Sequence, residues 1–125
     1  MTITDYQLQA MDTCMESCGN EAYMLLNLVA EVGELAGKVA KNIRHKTMKI
    51  DNNYLIYPEQ GAEMVAEMRK EAGDVLWQLS GLCSVMGWNL DDVAKENLAK
   101  LAARKAAGTI DGNGDGITGE TRKKA

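Results

Sequence analysis

The chain has 125 residues, 46% of them hydrophobic and 26% charged, with a formal net charge of −4 and an isoelectric point near 5.0. That size and balance describe one ordinary globular domain with a modest core, and the acidity argues against a general binder of nucleic-acid polymers. The opening MTITDYQLQA has neither the basic nor the apolar stretch of a signal peptide. Runs such as MLLNLVA are far too short to span a membrane, so no membrane partner and a cytoplasmic setting are expected. Cys14, Cys18 and Cys83 are odd in number and sit within helical patterns, which reads as reduced, mostly buried thiols. Cys14-x-x-x-Cys18 with the distant His45 makes a poor metal site.

Thr4 reads as an N-cap with Gln7 three residues on, opening a first helix that runs to about Cys18. Cys18-Gly19-Asn20 ends it. A second helix runs from about Glu21 to about His45. Its apolar stripe is wide, taking in Leu25, Leu28, Val29, Val32, Leu35, Ala36, Val39 and Ile43. At 100° per residue Glu31, Glu34, Lys38 and Lys41 form a second stripe bordering the first, which puts these charges at the rim of the core. From Lys46 to Tyr57 the pattern breaks. Asp51-Asn52-Asn53 reads as a turn within a short hairpin or an extended loop.

Pro58 suits the first turn of a third helix, Glu59 to Met86, whose apolar stripe includes Met64, Met68, Val75, Leu79, Leu82 and Cys83. Glu67, Glu71, Asp74 and Gln78 run along the border of that stripe. Trp77 falls outside both stripes, which suits a residue facing a subunit partner or a ligand. Gly87 ends the helix. Asn89 caps a fourth, with Asp91 and Asp92 in its first turn, Leu90, Ala94, Leu98 and Leu101 as its core face, and Gly108 at its end. Asn97, Lys100 and Arg104 share one edge of it. The expected fold is all-α, a four-helix bundle-like protomer with two long central antiparallel helices, over residues 1–108. Residues 109–125 form a Gly-rich polar tail. Within it Asp111 to Gly116 resembles half of an EF-hand loop, but position twelve is Arg122 rather than an acid, and too few residues follow for a second helix.

The chemistry lies in the two acidic pairs. Glu31-x-x-Glu34 and Glu71-x-x-Asp74 each put two carboxylates on one helix face. Packed together, the two helices aim four acids into one small volume. Carboxylates that close repel one another, and a hard divalent cation with oxygen ligands, Mg2+ first, relieves the repulsion. A single i, i+3 acidic pair is common on solvated helices. Two such pairs on the two longest amphipathic helices, both at the core rim, carry more weight.

The runs EVGELAGKVAK, KEAGDVLWQL and NLAKLAARKAAGTIDGNGD, with Glu31-x-x-Glu34 followed by Glu71-x-x-Asp74, resemble the MazG-like nucleotide pyrophosphohydrolases from Tyr6 to about Asp115. The resemblance implies a helical homodimer or homotetramer. It also implies hydrolysis of a nucleoside triphosphate to the monophosphate and pyrophosphate with Mg2+, or Mn2+ as a substitute. By matched position Glu31, Glu34, Glu71 and Asp74 are metal ligands, Glu34 and Glu71 also serve catalysis, and Lys38, Asn97, Lys100 and Arg104 contact phosphate or sugar. Asp115 and Arg122 match the family's Gly-Asp and basic residue in the tail. On that reading a carboxylate, Glu34 by preference, positions and deprotonates the attacking water, while Lys and Arg stabilise the departing pyrophosphate.

Two features depart from the family pattern. The separation from Glu34 to Glu71 is long, and the excess is the Lys46–Tyr57 segment. The tail reads GNGDGITGETR where the family passes from Gly-Asp to Arg almost directly. Two other readings compete. A ferritin-like di-iron protein needs Glu-x-x-His motifs, and His45, the sole histidine, has Asn42 three residues before it. A non-catalytic helical nucleotide-binding or regulatory oligomer would be expected to lose at least one of the four acids, and none is lost.

Overall fold

The computed structural model describes residues 1–59 and 61–110. In chain order it contains α1 (Ile3–Met11), a 3-10 turn (Glu16–Cys18), α2 (Glu21–Arg44), β1 (Lys49–Asp51), β2 (Tyr54–Ile56), α3 (Gly61–Val85) and α4 (Leu90–Ala106). The all-α expectation holds, with one small hairpin added.

The first helix begins two residues earlier than the sequence suggested. Thr2, not Thr4, is the N-cap, and Asp5 closes the capping box by accepting from the Thr2 backbone N–H. The helix stops at Met11, because the chain turns twice before α2. Asn20 starts α2 by accepting from the Tyr23 N–H at 2.9 Å.

Helices α2 and α3 form the spine, and their pairings run antiparallel: Gly81 against Met24, Gln78 against Asn27, Glu71 against Lys38. A Cβ at Gly81 would run into the Met24 thioether and stand 3.3 Å from the Met11 methyl, so a larger residue there makes the buried Met24 shift. The first helix is tied across by side chains. Gln7 donates to Ser84 Oγ (3.1 Å) and the Trp88 carbonyl (2.9 Å), and accepts from the Leu90 N–H (2.8 Å). Trp77 is half-buried and tied within the protomer. Its indole N–H donates to the Ala10 carbonyl (2.9 Å) and Thr13 Oγ1 (3.0 Å), where α1 ends.

All three long helices end in the same motif, with a left-handed residue one past the cap and a 6→1 hydrogen bond behind it. Gly87 (φ 72°) and Gly108 (φ 68°) fill this position after α3 and α4, but Lys46 (φ 59°) fills it after α2. Thr47 N–H then reaches the Asn42 carbonyl at 2.9 Å. The chain enters the hairpin directly, with Ile50 opposite Leu55 and Asp51 opposite Tyr54. Asn52 (φ 49°) and Asn53 (φ 70°) make the tight turn.

The protomer core is thin: among the described residues Ala10, Met24, Met48, Cys83 and Leu90 are the buried apolar ones. The wide apolar stripe expected on α2 is not covered as a whole. Leu28, Leu35 and Val39 are half-buried, whereas Leu25 (56%), Val29 (72%) and Val32 (48%) stay exposed. On α4, Leu90 is buried but Leu98 and Leu101 are exposed. Of the three cysteines only Cys83 is buried; Cys14, before the 3-10 turn, and Cys18, at its end, are half-exposed. Among the described residues no helix is long and apolar enough to cross a membrane.

Candidate functional site

The spine brings three of the four expected acids together, and Asp74 lies outside the group. Glu31 and Glu34 come from the middle of α2, and Glu71 faces them from α3. One carboxylate oxygen from each of the three lies within 4.8 Å of the others. Glu31 and Glu71 are half-buried, while Glu34 and Asp74 are exposed, so the cluster sits at the rim with one side open to solvent. Asp74 adds its charge from one turn further along α3. The effect reaches Glu31, which is pushed above the ordinary carboxylate range by burial first and then by Glu34, Asp74 and Glu71, against a lowering hydrogen bond from Asn27. It also reaches Tyr6, whose phenol is raised by burial and then by Asp74.

Two polar side chains that the sequence reading gave no role hold the cluster in place. Asn27 Nδ2 donates to Glu31 Oε1 (3.1 Å) and to Gln78 Oε1 (2.8 Å), one proton to each. Gln78 is 1% exposed and donates to the Met24 carbonyl (3.3 Å) and sulfur (3.1 Å). The signal for both was spacing: Asn27 stands four residues before Glu31, and Gln78 four after Asp74, on the same helical edges.

Lys38 supplies the cluster's one described ion pair, its Nζ lying 3.3 Å from Glu71 Oε1. One cation against four carboxylates leaves the cluster strongly negative. Three converging oxygen donors, and a Glu31 whose charged form is disfavoured, are the donor set that a hard divalent cation such as Mg2+ fits. Glu31, Glu34 and Glu71 would hold it, with Asp74 beside them.

The remaining expected residues do not converge in the same way within the protomer. Asn97 and Lys100 are exposed and Arg104 half-buried, on an α4 that packs against α1 and α3. Among the described residues neither Lys100 nor Arg104 makes an ion pair. Asp115, Arg122 and the EF-hand-like run lie outside the described residues.

The profile of the MazG nucleotide pyrophosphohydrolase domain matches residues 20–108, a span that contains both acidic pairs and Lys38. The Gene 37 protein of Mycobacterium phage L5 is 34% identical over 122 residues, covering 92% of this chain and 98% of that protein. No solved structure matches. With a domain match across most of its length, the chain belongs to the MazG nucleotide pyrophosphohydrolase family.

Proposed function

We propose that the chain hydrolyses a nucleoside triphosphate to the monophosphate and pyrophosphate, with Mg2+, or Mn2+ in its place, held at the Glu31–Glu34–Glu71 cluster. The observation that carries this reading is the approach of those three carboxylates to within 4.8 Å, with Lys38 at their edge. When bound, the divalent cation offsets the charge of the phosphates and polarises the α-phosphorus.

The chain's own residues do the rest. Glu31 is braced by Asn27 and Glu71 by Lys38, so the ligand oxygens are positioned before substrate arrives. Glu34, the exposed member, accepts the proton of the attacking water. The oxygen of that water bonds to the α-phosphorus, the bond to the bridging α–β oxygen breaks, and pyrophosphate leaves. Lys38 stabilises charge on the α-phosphoryl oxygens in the transition state. Lys100 and Arg104 would take phosphate oxygens of the leaving group, and Asn97 sugar, from α4 of a second copy, since within one protomer they do not converge on the cluster. Glu71→Gln is expected to abolish turnover while leaving the far-ultraviolet circular dichroism unchanged. A variant that turns over at the wild-type rate removes the site assignment.

The working unit we propose is a homodimer in the cytoplasm. At 100° per residue, Leu25, Val29, Val32 and Ala36 fall together on the side of α2 away from Glu34, and the first three are exposed apolar side chains. A monomer rarely leaves such a stripe open, and covering it with a second copy keeps the acidic mouth clear. Val29→Glu is expected to shift the sedimenting species toward the protomer. An unchanged, dimeric profile contradicts that placement.

A further inference from the structure

Where α2 runs out toward the hairpin, a cavity of about 360 Å³ lies between α2 and α3. Its walls include Lys38 and Lys41 from α2, Pro58 from the hairpin's exit, and Glu63, Met64 and Glu67 from α3. Lys38 belongs to both places, since it also pairs with Glu71 in the acidic cluster. At the opposite end the space between the helices is filled: Met24 and Gln78 are fully buried and Asn27 bridges to Gln78. A ligand anchored at the cluster and lying between the helices therefore extends toward the cavity.

The charges on the walls decide which part of a nucleotide enters. Lys38 is paired with Glu71, and Glu67 with Lys70 at 2.7 Å. That leaves Lys41 and Glu63, of opposite sign. A pyrophosphate group would meet two carboxylates there and no net positive charge. An uncharged polar ring fits better. Met64 and Pro58 offer apolar surface, Lys41 offers donors, and Glu63 and Glu67 offer acceptors. Lys41 stands seven residues beyond Glu34, about 10 Å along the helix axis. That is comparable with the span from an α-phosphorus to the far edge of its base.

The wall on the hairpin side is built in advance. Asn42 Nδ2 donates to the Lys38 carbonyl (2.7 Å), and Thr47 Oγ1 donates to Asn42 Oδ1 (2.8 Å), which fixes the turn after α2. Across from it Gly61 N–H donates to the Pro58 carbonyl at 2.8 Å. A Cβ on Gly61 would sit 2.6 Å from Tyr57 Cβ, so glycine allows the hairpin to close down on the start of α3.

We propose, resting on the pyrophosphohydrolase reading above, that this cavity is the nucleoside pocket and that Glu63 and Glu67 make it select bases carrying an exocyclic amino group over uracil and thymine. An amino N–H donates to a carboxylate. Uracil and thymine turn two carbonyl oxygens toward the same acceptors, with a single N–H between them, and acceptor facing acceptor is repulsive.

The test is pyrophosphate release with Mg2+ from CTP, ATP, GTP, UTP, dCTP, dUTP and dTTP, by the full-length wild type and by Glu63→Gln, Glu67→Gln and the double variant. The wild type is expected to favour amino-bearing bases in kcat/KM by about tenfold or more. Glutamine keeps the shape and both accepts and donates, so the double variant is expected to lose most of that ratio. A merely structural role would lower all substrates together and leave the ratio alone. Pyrophosphate release with no base preference, or with the same ratio in wild type and double variant, overturns the pocket assignment and leaves the reaction standing. No pyrophosphate from any nucleotide overturns the reaction itself, and the pocket assignment with it.

Discussion

Lys38 Nζ lies 3.3 Å from Glu71 Oε1, where the acidic cluster meets the cavity beside it. It is one turn beyond Glu34 on α2, so the same helix carries the proposed base and, among the described residues, the one cation paired with the cluster. Removing it takes away transition-state stabilisation rather than the fold. Lys38→Ala is expected to lower kcat/KM by roughly a hundredfold, as for loss of one preorganised donor to a developing charge, with Lys38→Arg recovering part of it. Steady-state kinetics decide this. A loss under about threefold, which is less than 1 kcal/mol, places Lys38 outside the phosphate contacts.

Glu31 gives a pH-linked stability effect with a definite sign. Its folded-state pKa lies above the ordinary value of 4.5 because burial and the neighbouring acids oppose its charge. The folded state therefore binds more protons than the unfolded state as pH rises from about the ordinary value through the raised one, and stability falls across that window. Glu31→Gln removes the charge and keeps the shape. Without metal the variant is expected to melt above the wild type at neutral pH, with the gap closing as pH drops below the ordinary carboxylate value. Added Mg2+ is expected to raise the wild-type Tm and to do less for the variant. A wild type that gains nothing from Mg2+ argues against the cation site.

A third expectation concerns Lys46. It holds a left-handed conformation at φ 59° in the position that glycine fills after α3 and α4. A side chain there costs about 1–2 kcal/mol relative to glycine, partly offset by the greater freedom of glycine in the unfolded chain. Lys46→Gly is therefore expected to stabilise the protein by about 1 kcal/mol or less in denaturant melts. Destabilisation would mean that the lysine side chain makes a contact worth more than the strain.

The acidic cluster was legible in the sequence because i, i+3 spacing survives any change in how α2 and α3 are rotated, provided both pairs stand at the rim. What lay behind it was not. Asn27 and Gln78 meet through a hydrogen bond across 51 positions, and nothing local in either helix announces the other. Trp77 shows the same limit, since its partners are set by where α1 ends. The hairpin remained one of two options, because Asn52-Asn53 marks a turn without fixing whether its flanks pair. The width of the α2 stripe was read as core, yet Leu25, Val29 and Val32 stay open in the protomer. Period alone cannot separate a face covered by the same chain from one left for another. On α1, Thr4 matches the cap pattern through Gln7 three residues on. Thr2 won because Asp5 stands three residues after it and reaches back to its backbone N–H at 3.0 Å.

The central claim is a reaction, and product identity tests it most directly. Nucleoside triphosphates are incubated with the purified protein in Mg2+ and in EDTA, and pyrophosphate, orthophosphate, monophosphate and diphosphate are separated and counted. The expected result is pyrophosphate and monophosphate in equal amounts with Mg2+ and neither with EDTA. Orthophosphate with diphosphate would mean that a different bond is cut. Equal pyrophosphate release in EDTA would mean that the Glu31–Glu34–Glu71 cluster does not work through a divalent cation.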